Sequence, residues 1–176
     1  MEAYPESPLV QEAQWMYANF LYRKRNWDDA ITAYDVIRTT RMPAAQKREL
    51  QFKKGHARFE LEQYEEARLD LFAVMEHPEE SGKFAANAQY YFSHISYLKG
   101  QPQVALTGFQ SLSTNSEFEQ VVPIYIAQLL HETEQFDALI DYAPHVLHED
   151  SRINEVQRAD VSRLVGDAYY RQQRFT

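Results

Sequence analysis

One phrase recurs along the chain at a nearly constant interval. "NWDDAITAY" (Asn26 to Tyr34) is followed 37 residues later by "QYEEARLDL" (Gln63 to Leu71), with an aromatic, two acids and an alanine in the same order. Aligning the aromatic gives Trp27, Tyr64, Pro102, Phe136 and Phe175, at spacings of 37, 38, 34 and 39 residues. Nine residues before each stands a small residue: Ala18, Gly55, Ser93, Ala127 and Gly166. Three residues after the first three comes alanine (Ala30, Ala67, Ala105), with Leu139 in the fourth unit. A period of this length is the mark of a stacked-repeat architecture, in which each unit buries its apolar face on its neighbours.

Each unit divides into two amphipathic helical stretches with a polar break between them. In the first, "EAQWMYANFLYRKR" ends at Arg25 and "DDAITAYDVIR" begins at Asp28, with Ala30, Ile31, Tyr34 and Ile37 on one helical face. Pro43 marks the start of a helix expected over 44–62, and later breaks fall at "KGQP" and "HEDS". The small residue of the first helix and the alanine of the second let the two approach closely.

These residues resemble the tetratricopeptide repeat, whose unit carries a small residue in helix A, an aromatic at the inter-helix turn and an alanine early in helix B. The likeness is specific in "FKKGHARFELEQYEEARLDLF" and "RLVGDAYYRQQRF", and weaker where Pro102 and Leu139 depart from the pattern. It implies an all-α, right-handed superhelical solenoid of antiparallel helix pairs, about four and a half repeats and nine helices in one domain over 1–176. The units are expected at about 8–42, 43–80, 82–115, 117–150 and 152–176. The variable period resembles bacterial members of the family associated with the cell envelope. The compartment is left open, cytoplasmic or periplasmic. The fifth unit stops at Thr176, where its helix B should begin, leaving Leu164, Val165, Ala168 and Tyr169 as an expected bare apolar face. The chain is thus expected to be a piece of a longer repeat protein, with self-association through that helix as the alternative.

Composition narrows the function. Apolar residues make up 44% and charged residues 25%, which suits a folded soluble domain, and there is no cysteine to supply a disulfide, a thiolate metal site or a nucleophile. The start lacks the basic and apolar regions of a signal peptide, and no run approaches the roughly 20 apolar residues of a membrane span. A net charge of −8 argues against nucleic acid. The stretch from Arg38 to Arg58 is locally basic (Arg38, Arg41, Lys47, Arg48, Lys53, Lys54, Arg58 against Glu49), either a solvated helix face or a patch for an acidic partner. "HVLHED" sets His145 and His148 one turn apart, near Glu149 and Asp150; without a second cluster these read as surface residues at a helix end, and no metal or other cofactor is expected. Paired acids such as Asp28/Asp29 and Glu65/Glu66 open second helices, where they complement the helix dipole, so catalysis is not needed to explain them.

In a stack of helix pairs the A helices line the concave side, and equivalent positions form rows. The residue after the small one reads Asn19, His56, His94, Gln128 and Asp167, a polar stripe. Three before it come Trp15, Phe52, Tyr90, Ile124 and Arg163; four after it come Tyr22, Phe59, Tyr97, His131 and Tyr170. Trp15, Phe52 and Tyr90 are expected to be partly exposed in a groove, with burial between repeats as the other reading. This aromatic-walled trough suits an extended peptide or helix of a partner protein. The expected activity is a non-catalytic interaction scaffold, with a regulatory domain for a short signalling peptide or small ligand as the alternative. The family's clamps for acidic chaperone C-termini use lysine, asparagine and arginine on these rows; only Asn19 matches, which argues against that role.

Overall fold

The computed structural model describes residues 8–148 and 151–172. Every regular element in them is a helix, and there are ten among the described residues. They are α1 (Pro8–Arg23), α2 (Trp27–Asp35), α3 (Ala44–Glu60), α4 (Tyr64–Met75), α5 (Pro78–Ser81), α6 (Lys83–Leu98), α7 (Pro102–Gln110), α8 (Val122–Glu132), α9 (Phe136–Leu147) and α10 (Glu155–Arg171). The tenth is the one-turn α5, which Pro78 opens at its first position and which brings the total above the nine expected. None of these helices is long and apolar enough to cross a membrane. The chain forms two compact units, Met1–Ile95 and Ser96–Thr176, dividing within α6.

The recurring phrase is the helix-to-helix turn. Helix α2 starts at Trp27, α4 at Tyr64, α7 at Pro102 and α9 at Phe136, the four aligned positions that are described. Two residues before each, the backbone turns left-handed: Arg25 (φ 57°), Glu62 (φ 60°), Gly100 (φ 68°) and Glu134 (φ 57°). That conformation ends the first helix, and the next amide bonds back across the turn, as in Asn26 N to Leu21 O (3.1 Å) and Gln63 N to Arg58 O (2.9 Å). It also ends α3 at Glu60, short of the expected Glu62. Phe175, the fifth aligned position, lies outside the described residues.

Four of the five small positions lie inside, and Gly166 is exposed. Ala18, Ser93 and Ala127 are completely buried, as are Ala30, Ala67, Ala105 and Leu139 on the second helices. At Gly55 an added Cβ would stand 2.9 Å from Leu71 Cγ, so α3 and α4 touch closely there. The first unit has two apolar clusters. One joins Ala18, Leu21, Ala30, Ala33, Tyr34, Ile37 and Leu50; the other joins Phe52, Ala67, Leu71, Val74, Ala88 and Ile95. In the second unit α10 packs on α8 and α9, and Leu164 and Ala168 are buried. The apolar face expected to be bare at those residues is therefore closed by its own unit. Helix α10 begins with a reciprocal cap, Asn154 Oδ1 accepting from Gln157 N and Gln157 Oε1 from Asn154 N, both at 2.9 Å.

Candidate functional site

In the first unit the polar row is bonded internally. Asn19 Oδ1 accepts from the Tyr34 hydroxyl (2.9 Å) and from Lys53 Nζ (2.5 Å), while its Nδ2 donates to Trp15 O at 2.9 Å. Lys53 also donates to Glu49 Oε1 at 2.5 Å and lies 5.4 Å above the Trp15 ring and 5.7 Å above the Tyr22 ring. Rings on α1 thus shelter an ammonium from α3 in a cation–π arrangement.

His56 sits one repeat on. Its Nδ1 lies 2.8 Å from the Tyr22 hydroxyl and its Nε2 lies 3.5 Å from Glu60 Oε1. The tautomer that serves both carries its proton on Nε2 and accepts from Tyr22 at Nδ1. Trp27 (5.5 Å), Phe52 (6.1 Å) and Tyr91 (4.7 Å) surround the imidazole. Burial holds the pKa of His56 below its ordinary value, against the pull of Glu60, and burial lowers that of His94 too. The hydroxyls of Tyr22, Tyr34 and Tyr91 are shifted upward, first by burial. The rings continue from Phe59 to Tyr91 (5.0 Å) and His94 (5.4 Å), and from His94 to Tyr90 (6.1 Å).

Exposure separates the expected site residues of this unit. Trp15, Asn19, Tyr22, His56, Phe59, Tyr90 and His94 are half-buried. Phe52 is 7% exposed and packs on Phe84 and Tyr91, so its ring belongs to the core rather than to a groove wall. The basic stretch matches neither of its expected readings at four positions. Arg48 pairs with Glu80 (2.9 Å), Lys53 with Glu49, Lys54 with Asp35 and Arg58 with Asp70 (2.5 Å), their side chains only 11–19% exposed. Burial raises the Asp70 pKa, and Arg58 opposes that shift.

The second unit is more open. Gln128, Ile124, His131 and Tyr97 are half-buried, whereas Arg163 and Tyr170 are exposed. Asp167 Oδ2 accepts from Arg171 Nε (2.7 Å) and lies 2.6 Å from His131 Nε2, and these hydrogen bonds hold its carboxyl below the ordinary range, Arg171 first. Tyr97 meets Tyr125, which stacks on Phe109 at 4.7 Å. A pocket of about 480 Å³ opens among Ser113, Glu119, Tyr142, His145, Arg152 and Ile153. Arg152 Nη1 pairs with Glu119 Oε1 at 2.7 Å there, and burial pushes the Tyr142 hydroxyl up to about 12. Helix α9 ends at Leu147, so His148 stands beyond the helix that carries His145, and Glu149 and Asp150 lie outside the described residues.

Sequence reasoning missed Tyr34, Lys53 and Tyr91 as members of the polar and aromatic network. Tyr34 was legible only as core, Lys53 only as one base among seven, and nothing marks Tyr91 apart from its neighbour Tyr90.

No protein-family model matches the chain. No curated protein matches it either. Among solved structures it is similar to the crystal structure of YrrB, a TPR protein with an unusual peptide-binding site, with a TM-score of 0.66 and 18% identity. The likeness covers 90% of this chain and 75% of that one. The chain has the tetratricopeptide-repeat fold.

Proposed function

We propose that the chain is a non-catalytic protein-interaction scaffold that receives a peptide or helix of a partner protein along the row of first helices. The observation carrying this reading is the row itself. Asn19, His56 and His94 recur one per repeat among the half-buried rings Trp15, Tyr22, Phe59 and Tyr90, on helices held in place by a packed core. Such a surface offers polar partners for a peptide backbone and aromatic anchors for its side chains. The solved structure it is similar to is that of a peptide-binding protein. Gln128, Asp167, Arg163, Tyr170 and Tyr97 extend the proposal to the second unit, and Phe52 enters it only as support for His56.

Affinity capture from native lysate with the wild type and with His56→Ala/His94→Ala tests this, each bait first shown to be folded by circular dichroism. Loss of specific partners from the folded double variant is the expected result. Equal retention by both baits removes the row from the site. A regulatory domain for a short signalling peptide or small ligand is favoured by one observation. The second-unit pocket, at about 480 Å³, has the size of small-molecule sites and converging polar groups at Glu119, His145 and Arg152. Thermal stabilisation by a small molecule, abolished in Glu119→Gln/Arg152→Gln, would support that reading over the scaffold.

A further inference from the structure

Seven lysines and arginines lie from Arg38 to Arg58, and the fold spends four of them on internal pairs with Glu80, Glu49, Asp35 and Asp70. Two of the others, Arg38 and Arg41, stand exposed on the loop between α2 and α3. The Arg41 guanidinium makes no hydrogen bond or ion pair with any described residue. Two pockets adjoin at this loop, sharing Gln11 and Arg41. The larger, about 360 Å³, has apolar walls at Trp15, Ile37, Met42 and Pro43 and also carries Glu12. The smaller, about 170 Å³, is lined by Gln11, Arg38, Thr40 and Arg41. The walls are held by the core. Ile37 is buried in the cluster that joins α1, α2 and α3, Trp15 and Met42 pack against that cluster, and Met42 N bonds to Thr39 O (3.2 Å) across the turn that carries Arg41.

We propose that this loop docks an acidic segment of a partner protein, with a carboxylate side chain in the smaller pocket between Arg38 and Arg41 and a neighbouring apolar side chain in the larger one against Trp15, Ile37, Met42 and Pro43. Charge and size select that occupant. The smaller pocket offers two guanidinium groups, a hydroxyl and an amide, with no acid among its lining residues, a set that suits a carboxylate. It is too small for a whole ligand, so the body of the ligand falls to the larger pocket. There the walls are apolar and Glu12 repels a second acid, so an aromatic or aliphatic group is the better fit. A peptide is favoured over a free small molecule because Trp15 belongs both to the larger pocket and to the proposed row, so the two surfaces join there. The proposal rests on the reading of the chain as a receiver of peptides and adds the chemistry of the peptide it receives.

Titrating the isotope-labelled whole chain with the capped tripeptide acetyl-Glu-Phe-Glu-amide, followed by amide and indole NMR shifts, tests it. Saturable shifts should appear over 36–46 and at the Trp15 indole, with a dissociation constant on the order of a millimolar. Acetyl-Gln-Phe-Gln-amide and acetyl-Glu-Ala-Glu-amide should each bind at least about fivefold more weakly, having lost the charge or the apolar body. Arg41→Gln should weaken binding about threefold, whereas Glu12→Gln should strengthen it about twofold. Both side chains are exposed, so these variants keep the helical circular dichroism of the wild type. His56→Ala/His94→Ala should leave the loop shifts in place, which separates failure of the loop site from failure of the row. No saturable shift up to about 10 mM peptide, equal binding of the glutamine peptide, full binding by Arg41→Gln, or weaker binding by Glu12→Gln would each overturn the proposal. So would tighter binding of phenylpropionate, which has the ring and the carboxylate without a peptide chain and would mark a small-molecule site. Shifts confined to the row and lost in His56→Ala/His94→Ala would overturn it while leaving the row reading intact.

Discussion

Gly55 and Gly166 occupy the same repeat position, yet replacing each by alanine should move stability in opposite directions. In a helix interior alanine is favoured over glycine by about 0.5–1 kcal/mol, because it restricts the unfolded chain more. At Gly166 nothing outside its own local helix lies within 4 Å of an added Cβ, so that gain is retained in full. At Gly55 the Cβ would meet Leu71 Cγ at 2.9 Å, Leu71 Cδ2 at 3.1 Å and Asp70 Cβ at 3.1 Å. Leu71 is fully buried and cannot swing clear, and Asp70 is tied to Arg58. Overpacking of this kind costs about 1–3 kcal/mol, which outweighs the helical gain and leaves Gly55→Ala roughly 1 kcal/mol destabilised. Because the two glycines lie in different compact units, a single melting curve would blend their effects. Native-state hydrogen exchange separates them: amide protection should fall in α3 and α4 for Gly55→Ala and rise in α10 for Gly166→Ala. Equal gains at both sites would refute the close approach of α3 and α4 as the reason for the glycine.

Three further outcomes follow from the charged and titrating groups. Asp70→Leu should destabilise the first unit by about 3 kcal/mol in urea titrations, since it strands the Arg58 guanidinium, whereas Arg58→Met/Asp70→Leu should recover most of that loss. His56 and His94 are held below their ordinary pKa by burial, so the unfolded chain binds more protons. Their contribution is then complete above the unfolded value near 6.5 and is lost as pH falls through it, with a slope of up to about 1.4 kcal/mol per pH unit for each. Urea midpoints from pH 7.5 to 5 should fall less steeply in His56→Gln; identical slopes would exclude His56 as a source. The Asp167 side-chain carbon should titrate below the ordinary carboxylate range by NMR and move upward in Arg171→Ala, while an unmoved value would remove Arg171 as its main partner.

The packing of the chain was legible from its repeats because packing constrains residue size. Ala18, Ser93, Ala30, Ala67 and Ala105 could be placed from spacing alone, and each is completely buried. The turns were less legible. Of the four left-handed residues only Gly100 announces its conformation; Arg25, Glu62 and Glu134 adopt it because the helices on either side fix the turn, a constraint that leaves no mark on the residue itself. The proposed row was legible as a set of polar positions but not as a network, since its partners come from elsewhere in the fold: Tyr34 from a second helix, and Lys53 from a stretch that reads as a surface patch. Exposure of Phe52 could not be read from its register, because the same spacing serves groove and core until Phe84 and Tyr91 are seen against it.

These internal bonds change what the proposed row can offer a ligand. Asn19 Oδ1 already accepts from Tyr34 and Lys53, so a peptide that sought this oxygen would have to displace one of them and leave a half-buried donor unsatisfied. His56 differs: its Nδ1 is engaged by Tyr22, but its Nε2 lies 3.5 Å from Glu60, a long contact that a closer acceptor could replace without loss to the core. Asn19 therefore acts mainly by fixing Trp15, Tyr34 and Lys53, and truncating it should lower stability before it lowers affinity. His56 has the opposite balance, with its imidazole oriented by surrounding rings and one N–H turned towards a weak partner. Orientation before binding spares the ordering cost that a mobile side chain would incur. On the proposed surface, specificity would then depend less on which polar residue each repeat carries than on which atom of it the fold has left underused.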